Sequence, residues 1–278
     1  MRKIIFPLLL LFFFNSDLLC QESDTVFLKQ NEIWLRDAFE KIYNNPYYLP
    51  MDSLNNEIIS RFEKALSTRE SFSYPWNELK AIGKIRSEDN KLNIFTWHIE
   101  KNINEYEYYG FIQTIDYKND SIVRLYFLND KSGSLKNPET LALNDKKWFG
   151  ALYYGIHTFV YNRNTYYALF GYDFNNYASR KKLIEILTFT HDNEPEFEGD
   201  FHTEFDRLKR IIFEYSSQVV MTVRYDDKMK MIIMDHLAPF EPIFTNNYRF
   251  YSPDGTYDGI TFQKGEFFLE HDIDARNY

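Results

Sequence analysis

The sequence predicts a mainly β protein of the α+β class, in which an N-terminal helical hairpin precedes antiparallel sheets. Three observations support this fold class. Apolar residues recur every three to five positions in the two segments before Ser67. From about Leu79 onward, apolar and polar residues alternate with a period of two, and turn-forming residues separate the alternating segments. Aromatic residues make up 19% of the chain, enough to fill the core of β meanders, a sandwich or barrel-like sheets.

The first twenty residues resemble an export signal. Two basic residues precede an uninterrupted apolar run from Ile4 to Phe14, which is too short to span a membrane. We interpret residues 1–20 as a signal peptide that is cleaved after Cys20. Lipidation of Cys20 is the alternative, but a lipoprotein signal places a small residue before the cysteine, and Leu19 stands there. We therefore expect an exported protein, periplasmic or extracellular, and soluble rather than lipid-anchored at Cys20.

Residues 21–70 are predicted to form the helical hairpin. The spacing of apolar residues predicts one helix over Lys29–Tyr43 and a second over Met51–Leu66. Asn44-Asn45-Pro46 ends the first helix, because the residue before a proline is pushed out of helical geometry. Neither apolar stripe carries a charge, so both helices are expected to dock against the rest of the protein. The stripes comprise Ile33, Trp34, Ala38, Phe39 and Ile42 in the first helix, and Leu54, Ile58, Phe62 and Leu66 in the second.

Residues 71–278 are predicted to form the antiparallel β region, because the strands are short and closely spaced. The irregular stretch Asn129–Lys147 either divides two subdomains, near residues 130–147, or forms one long surface loop. The predicted strands are Leu92–Glu100, Tyr106–Asp116, Val123–Phe127, Phe149–Tyr161, Tyr166–Tyr172, Leu183–Phe189 and Ile211–Tyr215.

One hairpin can be predicted in register. A three-residue loop over residues 226–228 would place the apolar residues of both flanking strands on the same face. The residues of that face are Val219, Met221, Val223 and Tyr225 on the first strand, and Met229, Met231, Ile233 and Leu237 on the second.

Composition excludes several classes of function. The formal net charge of −9 disfavours nucleic-acid binding, because an acidic surface repels phosphates. No segment after the signal approaches 18 apolar residues, so we expect no transmembrane span in the mature chain. Removal of Cys20, the only cysteine, would leave neither a disulfide nor a catalytic thiol. The chain contains no glycine-rich phosphate loop, and the sequence predicts no cofactor.

Two polar groups near predicted strand ends invite a chemical interpretation. Asp235 and His236 are neighbours, but successive side chains of a strand point to opposite faces, so a catalytic dyad would require a bulge. Glu270, Asp272 and Asp274 would share one strand face and could hold calcium with a loop oxygen. No known calcium-loop spacing accompanies them, so a solvated acidic terminus is the favoured interpretation.

The remaining polar groups favour turns over sites. Asp173, Asn175 and Asn176 carry oxygens that can ligate calcium, but the glutamate of a calcium loop is missing. They are standard turn formers, as is Asp254-Gly255. The six histidines show no zinc-binding spacing. The sequence alone therefore assigns no catalytic residue and predicts no metal site.

Six segments carry a resemblance to known proteins. They are Trp148–Tyr154, Gly171–Asp173, Arg210–Ser216, Asp235–Pro239, Pro253–Gly255 and Asp272–Asn277. They resemble segments of an uncharacterised family of exported Bacteroidota proteins, and the similarity extends from about Phe72 to the last residues. That family has no established activity, so the resemblance implies export and bacterial origin but no site residues. Phe174 stands where a glycine is expected, so this loop is given no ligand role.

The sequence therefore favours a non-catalytic binding or structural module of the cell envelope, with a carbohydrate or an envelope protein as its partner. The first alternative is a secreted hydrolase, which would need two buried carboxylates within about 5–10 Å of each other at a pocket floor. The second is an outer-membrane β-barrel. It is disfavoured by the two helices and by charged residues in predicted strands, including Arg124 and Glu214.

Overall fold

The computed structural model describes residues 16–44, 50–116, 122–204 and 206–275. It is mainly β, with 48% of residues in strands and 22% in helices, which confirms the predicted fold class. The helices are α1 (Ser16–Asn44) and α2 (Met51–Leu66). The strands are β1 (Gly83–Arg86), β2 (Leu92–Asn102), β3 (Glu105–Asp116), β4 (Ile122–Asn129), β5 (Leu143–Asn144), β6 (Leu152–Tyr161), β7 (Asn164–Asp173), β8 (Ser179–Phe189), β9 (Pro195–Phe197), β10 (Phe201–His202), β11 (Arg207–Leu208), β12 (Arg210–Ser216), β13 (Val223–Asp226), β14 (Met231–Pro239), β15 (Tyr251–Gln263) and β16 (Glu266–Glu270).

The two helices form an antiparallel pair. The guanidinium of Arg61 lies 4.2 Å from the ring centre of Trp34, and the ammonium of Lys64 lies 5.7 Å from that of Phe27. Later residues of α2 thus contact earlier residues of α1, so the two helices run in opposite directions, as predicted for a helical hairpin. Helix α2 has the predicted bounds, whereas α1 begins earlier than predicted. The buried Leu28 explains part of this extension, because it continues the apolar stripe toward the N-terminus.

The buried stripe of α1 differs from the prediction in two residues. Ile33 is 38% exposed, whereas Glu32 is buried with only 4% of its surface exposed. The Glu32 carboxylate accepts hydrogen bonds from the Tyr74 hydroxyl at 2.7 Å and from the Glu78 backbone N–H at 2.8 Å. The prediction that no charge lies on the stripe is therefore wrong. A carboxylate can be buried here because the residues that follow α2 bring donors to it.

The strands form three sheets. The first has the order β1-β2-β3-β4. The second has the order β5-β9-β8-β7-β6, with β12 also paired to β8, and the third has the order β11-β10-β16-β15-β14-β13. Neighbouring strands are antiparallel except for β10 and β16, which are parallel. None of the helices within the described residues is long and apolar enough to cross a membrane.

The helices and sheets stack as four layers, with the helices against the first sheet and the second sheet between the other two. Alternation along the strands shows this order. In β2, Phe95 and Trp97 belong to the core shared with the helices, whereas Ile94 faces the second sheet. In β7, Leu169 packs toward the first sheet and Phe170 toward the third. Both middle layers are thus buried on two faces, which gives the large aromatic content a place inside the protein.

The β13–β14 hairpin has a different register from the prediction. Tyr225 pairs with Ile232 and Val223 with Met234, and the loop contains four residues instead of three. All four residues from Met231 to Met234 are buried, so hydrophobicity does not distinguish the two faces of β14. The turn decides the register instead: Lys230 adopts a left-handed backbone with φ of 57°.

The irregular stretch over Asn129–Lys147 connects the first sheet to the second. It contains two short 3-10 helices and the two-residue strand β5. The Asp130 carboxylate fixes its beginning by accepting backbone N–H groups from Tyr108, Ser132 and Gly150 at 3.0, 2.8 and 3.2 Å. The stretch is therefore tied to β3 and to the start of the next sheet.

Candidate functional site

A cleft of about 770 Å³ crosses one end of the second sheet. The first sheet contributes the end of β3 and the start of β4 to one wall, and the third sheet contributes the start of β16 to the other. The start of β7 and the end of β8 lie between these walls. The volume lies within the range of small-molecule binding sites in proteins.

The cleft is lined by side chains that can both stack and hydrogen-bond. Its partly exposed aromatic residues are Tyr166 and Phe189, and the buried Tyr167 and Phe267 lie behind its surface. Its hydroxyl and amide residues are Thr114, Thr165, Thr188, Thr190, Asn164 and Asn193. Such a combination suits a ligand with apolar ring faces and many hydroxyl groups.

Cations outnumber carboxylates in the cleft, although the protein as a whole is acidic. The cationic residues are Lys91, Arg124, Arg163 and Lys209, and the acidic residues are Asp116, Glu198 and Asp200. Two of the carboxylates already have cationic partners: Lys209 Nζ lies 2.5 Å from Glu198, and Arg207 lies 2.5 Å from Asp200. The lining therefore has one more cationic than acidic side chain, an excess that can attract an anionic group.

Hydrogen bonds between sheets hold the walls of the cleft in place. The Tyr126 hydroxyl donates to the Asn193 carbonyl at 2.6 Å, joining the first sheet to the second. The Tyr167 hydroxyl donates to Asp89 at 3.0 Å. Burial, together with the Asp89 charge, raises the pKa of Tyr167, so its phenol stays protonated and keeps this bond. The cleft is thus formed before any ligand arrives, which limits the ordering entropy lost on binding.

Arg163 reaches the cleft from a tight turn. Asn162 and Arg163 form the two-residue loop between β6 and β7, and both have positive φ, at 51° and 68°. Such loops favour asparagine and glycine, because a Cβ is strained in the left-handed region. Asn162 fits this preference and Arg163 does not, so the exposed arginine at the cleft rim occupies its position at a local conformational cost.

Among the residues that the structure describes, the cleft has no pair of buried carboxylates of the kind that the hydrolase alternative requires. The buried carboxylates among the described residues are Glu32, Asp173, Glu185, Asp226 and Asp258. None of these five lines the cleft, and the three carboxylates that do line it are partly or largely exposed.

The Asp235–His236 pair lies outside the cleft, and its two members have separate partners. Asp235 accepts the Thr222 backbone N–H at 2.7 Å. The pairing of β14 with β15 is irregular between Asp235 and Leu237, so a bulge does intervene at His236. That ring lies with its Nδ1 2.8 Å from a carboxylate oxygen of Asp258, on the neighbouring strand. The carboxylate partner of His236 therefore comes from 22 residues away in the chain.

The other polar groups that the sequence singled out serve turns and strand ends. Strand β16 ends at Glu270, and Asp272 has a φ of 55°, so Glu270, Asp272 and Asp274 do not form a row on one strand. Asp173 accepts the Tyr108 hydroxyl at 2.8 Å and the Asn175 backbone N–H at 2.7 Å. None of these residues lines the cleft.

Asn176 and Asp254 each stabilise a local turn. The Asn176 side-chain oxygen accepts the backbone N–H groups of Ala178 and Ser179, at 2.8 and 3.0 Å. Asp254 accepts the Thr256 backbone N–H at 2.9 Å. This is the turn-forming role that asparagine and aspartate commonly have.

Three residues of the resemblance segments meet in the core. The Trp148 indole N–H donates to the Tyr153 hydroxyl at 2.8 Å, and that hydroxyl donates to Glu185. The Arg210 guanidinium lies 2.6 Å from the other oxygen of Glu185. All four side chains are essentially inaccessible to solvent, so these residues support the fold and do not form a site.

Comparison with family models, with curated proteins and with solved structures finds no match for this chain.

The cleft residues were missed because no local motif marks them. They come from segments as far apart as Lys91 and Phe267, and only the stacking of the three sheets brings them together. One local signal was available: the turn Asn162-Arg163-Asn164 places an arginine where the backbone favours glycine.

Proposed function

We propose that this chain is an exported binding module of the cell envelope whose cleft binds an oligosaccharide that carries an anionic group. The lining of the cleft carries the proposal. Aromatic rings beside hydroxyl and amide groups suit the ring faces and hydroxyls of a sugar. The excess of cations suits a carboxylate or sulfate group on that sugar. Two features support export: the two basic residues and the apolar run within the first twenty residues, and the resemblance to exported Bacteroidota proteins.

The state of the carboxylates favours binding without hydrolysis. Glycoside hydrolysis uses one carboxyl group as an acid of raised pKa and a second as a base or nucleophile. Glu198 and Asp200 are each engaged by a cation, at 2.5 Å in both cases, so neither carboxylate is free to act on a sugar. Neither is buried, so neither has the desolvated environment of a general acid.

Titration calorimetry with the purified chain tests the proposal. The ligands are a panel of neutral oligosaccharides and of oligosaccharides bearing uronic acid or sulfate groups. We expect the acidic members to bind more tightly, with affinity falling as salt is added. Tyr166→Ala should weaken binding by about tenfold or more, because truncating an aromatic anchor commonly costs about 1–2 kcal/mol.

Matched variants at the other end of the molecule serve as controls. Tyr177 is 73% exposed and lies just before β8 begins, whereas the cleft takes residues from the end of that strand. Tyr177→Ala should leave the affinity unchanged. Arg163→Gln should reduce the preference for acidic sugars, and Arg249→Gln, at an exposed arginine outside the cleft, should not. Binding that survives both cleft variants would place the site elsewhere, and release of shortened sugars would replace the binding proposal with the hydrolase.

A further inference from the structure

A second group of polar side chains lies on the third sheet, away from the cleft. Asp258 on β15 has two histidine neighbours, one from β14 and one from the residue after β16. The Nδ1 atom of His236 lies 2.8 Å from one carboxylate oxygen, and the Nδ1 atom of His271 lies 3.0 Å from the other. The Asp272 backbone N–H donates to the second oxygen at 3.2 Å. The register of β15 with β14 and β16 therefore assembles three groups that are distant in the chain.

The chemistry of these three groups matches a transition-metal site. Two imidazole nitrogens and one carboxylate are a common ligand set for zinc and its neighbours. The candidate ligand atoms of His236, Asp258 and His271 all lie within 4.8 Å of one another. In a tetrahedral zinc site with bonds of about 2.0–2.2 Å, ligand atoms lie about 3.3–3.5 Å apart. To accommodate an ion, the most distant pair of ligand atoms would approach by at most about 1.4 Å, or about 0.7 Å each, which lies within side-chain motion.

Burial and exposure are distributed as such a site requires. The Asp258 side chain is only 8% exposed and is held by the Asp272 N–H, which fixes its orientation. The His236 and His271 side chains are 37% and 52% exposed, so solvent can reach the ion and complete its coordination. Among the described residues, no lysine or arginine forms an ion pair with Asp258.

In a second cluster on the same sheet, the carboxylates do form ion pairs with an arginine. Asp200, His202 and Glu266 also have candidate ligand atoms within 4.8 Å of one another. There, however, Arg207 lies 2.5 Å from Asp200 and 3.0 Å from Glu266, so a guanidinium is already engaged with both carboxylates. Similar residues are present in both clusters, but among the described residues only the Asp258 cluster has a carboxylate that forms no ion pair with a lysine or an arginine.

We propose that His236, Asp258 and His271 bind a divalent transition-metal ion of the zinc class. His236 and His271 bind through Nδ1, and Asp258 supplies the compensating charge. The site differs from the sugar-binding cleft in location and in ligands, so it stands or fails independently of that function.

Zinc titration tests this site. The full chain, prepared without a histidine tag and stripped with a chelator, is titrated in competition with a chromophoric chelator. We expect one zinc ion per chain bound at this site. His271→Gln should weaken binding by at least about tenfold, since even the outer partners of metal ligands change affinity by about 10–100-fold. Asp258→Asn, which keeps the size of the side chain, should do the same.

Thermal unfolding supplies the second measurement. A ligand at about 100 times its Kd stabilises a folded protein by about 2.7 kcal/mol, which corresponds to a rise in midpoint of roughly 5 °C or more for a chain of this size. The rise should occur with zinc in the wild type and be absent in His271→Gln. Because His271 is more than half exposed, this variant should keep the metal-free midpoint of the wild type.

The matched control is His202→Gln in the neighbouring cluster, which should bind zinc as the wild type does. The proposal is overturned if the Kd of the wild type for zinc is about 0.1 mM or higher, which is typical of weak contacts. It is also overturned if both His271→Gln and Asp258→Asn bind normally, or if only His202→Gln loses the ion. In the last case the cation would belong to the Asp200 cluster.

Discussion

Polar groups inside the sheet stack and polar groups at its ends have different kinds of partner. Inside the second sheet, the Glu185 carboxylate is held by Arg210 and Tyr153, and none of these side chains is exposed. On the third sheet, Asp258 is held by two histidines that reach solvent. Both carboxylates are buried, but only the second has partners that can exchange a hydrogen bond for a ligand. Burial alone therefore does not identify a functional site; the accessibility of the partners does.

The interior network is closed on every side. Arg210 also donates to the backbone carbonyl of Leu141 at 2.9 Å and to that of Phe197 at 3.1 Å, besides contacting the Pro138 carbonyl. It thereby fixes the irregular stretch before β6 to the second sheet. Burial and the neighbouring Glu185 charge raise the pKa of Tyr153 well above its usual value, so its hydroxyl remains a donor.

Arg210→Met should have the largest effect on stability. The substitution leaves the Glu185 charge buried without its cation and removes the guanidinium donor from three carbonyl groups. Breaking a buried ion pair in this way costs about 3–5 kcal/mol, which we expect to measure as a lower free energy of unfolding in urea. Replacing both partners, in the double variant Arg210→Met with Glu185→Leu, should recover part of the loss, because no buried charge remains.

Lys209→Gln is the matched control on the neighbouring residue. Lys209 pairs with Glu198 at 2.5 Å, but its side chain is 33% exposed and that of Glu198 is 41% exposed. Exposed pairs contribute about 0–1 kcal/mol, so this variant should unfold nearly as the wild type does. Equal losses in the two variants would contradict the distinction between the closed interior and the open sheet ends.

His98 extends the comparison to an interior group without a charged partner. Its ring lies among those of Tyr43, Tyr106 and Phe174, at centroid distances of 5.1, 5.7 and 4.5 Å. Its Nδ1 atom is buried without a hydrogen-bond partner among the described residues. Burial lowers the pKa of His98 to about 4, because the charged imidazolium is poorly solvated there.

The folded protein should therefore lose stability as the pH falls from about 6.5 toward 4. In this pH window the unfolded chain binds a proton at His98, whereas the folded chain does not. Acid therefore lowers the free energy of unfolding, by at most about 3 kcal/mol from this residue. His98→Phe should remove this contribution. The measurement is urea unfolding of both proteins at pH 7.5 and pH 4.5. If the free energy of unfolding fell by the same amount in the wild type and in His98→Phe between these two pH values, His98 would not exclude the proton.

The sequence predicts the elements of this fold better than their contacts. Helix α2 and strands β2 and β3 were predicted nearly within their observed bounds, because the apolar residues of α2 recur every four positions and turn-forming residues flank both strands. The register of β14 was not predicted correctly. Met231 to Met234 are buried on both faces, so the hydrophobic pattern does not distinguish one face of the strand from the other. Glu32 was missed because its donors come from residues beyond α2.

Neither candidate site could be predicted from local spacing. His236, Asp258 and His271 lie 22 and 13 residues apart, and only the pairing of three strands brings them together. The bulge that re-aims His236 is likewise a property of the pairing and not of the residues beside it. The cleft depends further on how three sheets stack, which no short segment determines.

The smallest expected effect concerns the open end of the molecule, where Arg163 occupies a left-handed turn position with a φ of 68°. Arg163→Gly should raise the free energy of unfolding by about 1 kcal/mol, because glycine adopts this conformation without steric strain. The same substitution removes a cation from the cleft rim, so it should weaken binding of an acidic oligosaccharide. Stability and binding are thus expected to change in opposite directions, which can be measured by urea unfolding and by titration calorimetry.

Asn104→Gly provides the control for the turn itself. Asn104 is the second residue of the two-residue loop between β2 and β3 and has a φ of 61°. Because asparagine tolerates the left-handed region, its replacement by glycine should change stability by only a few tenths of a kcal/mol. It should also leave sugar binding unchanged, since Asn104 lies outside the cleft. If Arg163→Gly gained no more stability than Asn104→Gly, the arginine would not occupy its position at a conformational cost, and the argument from strain to binding would fail.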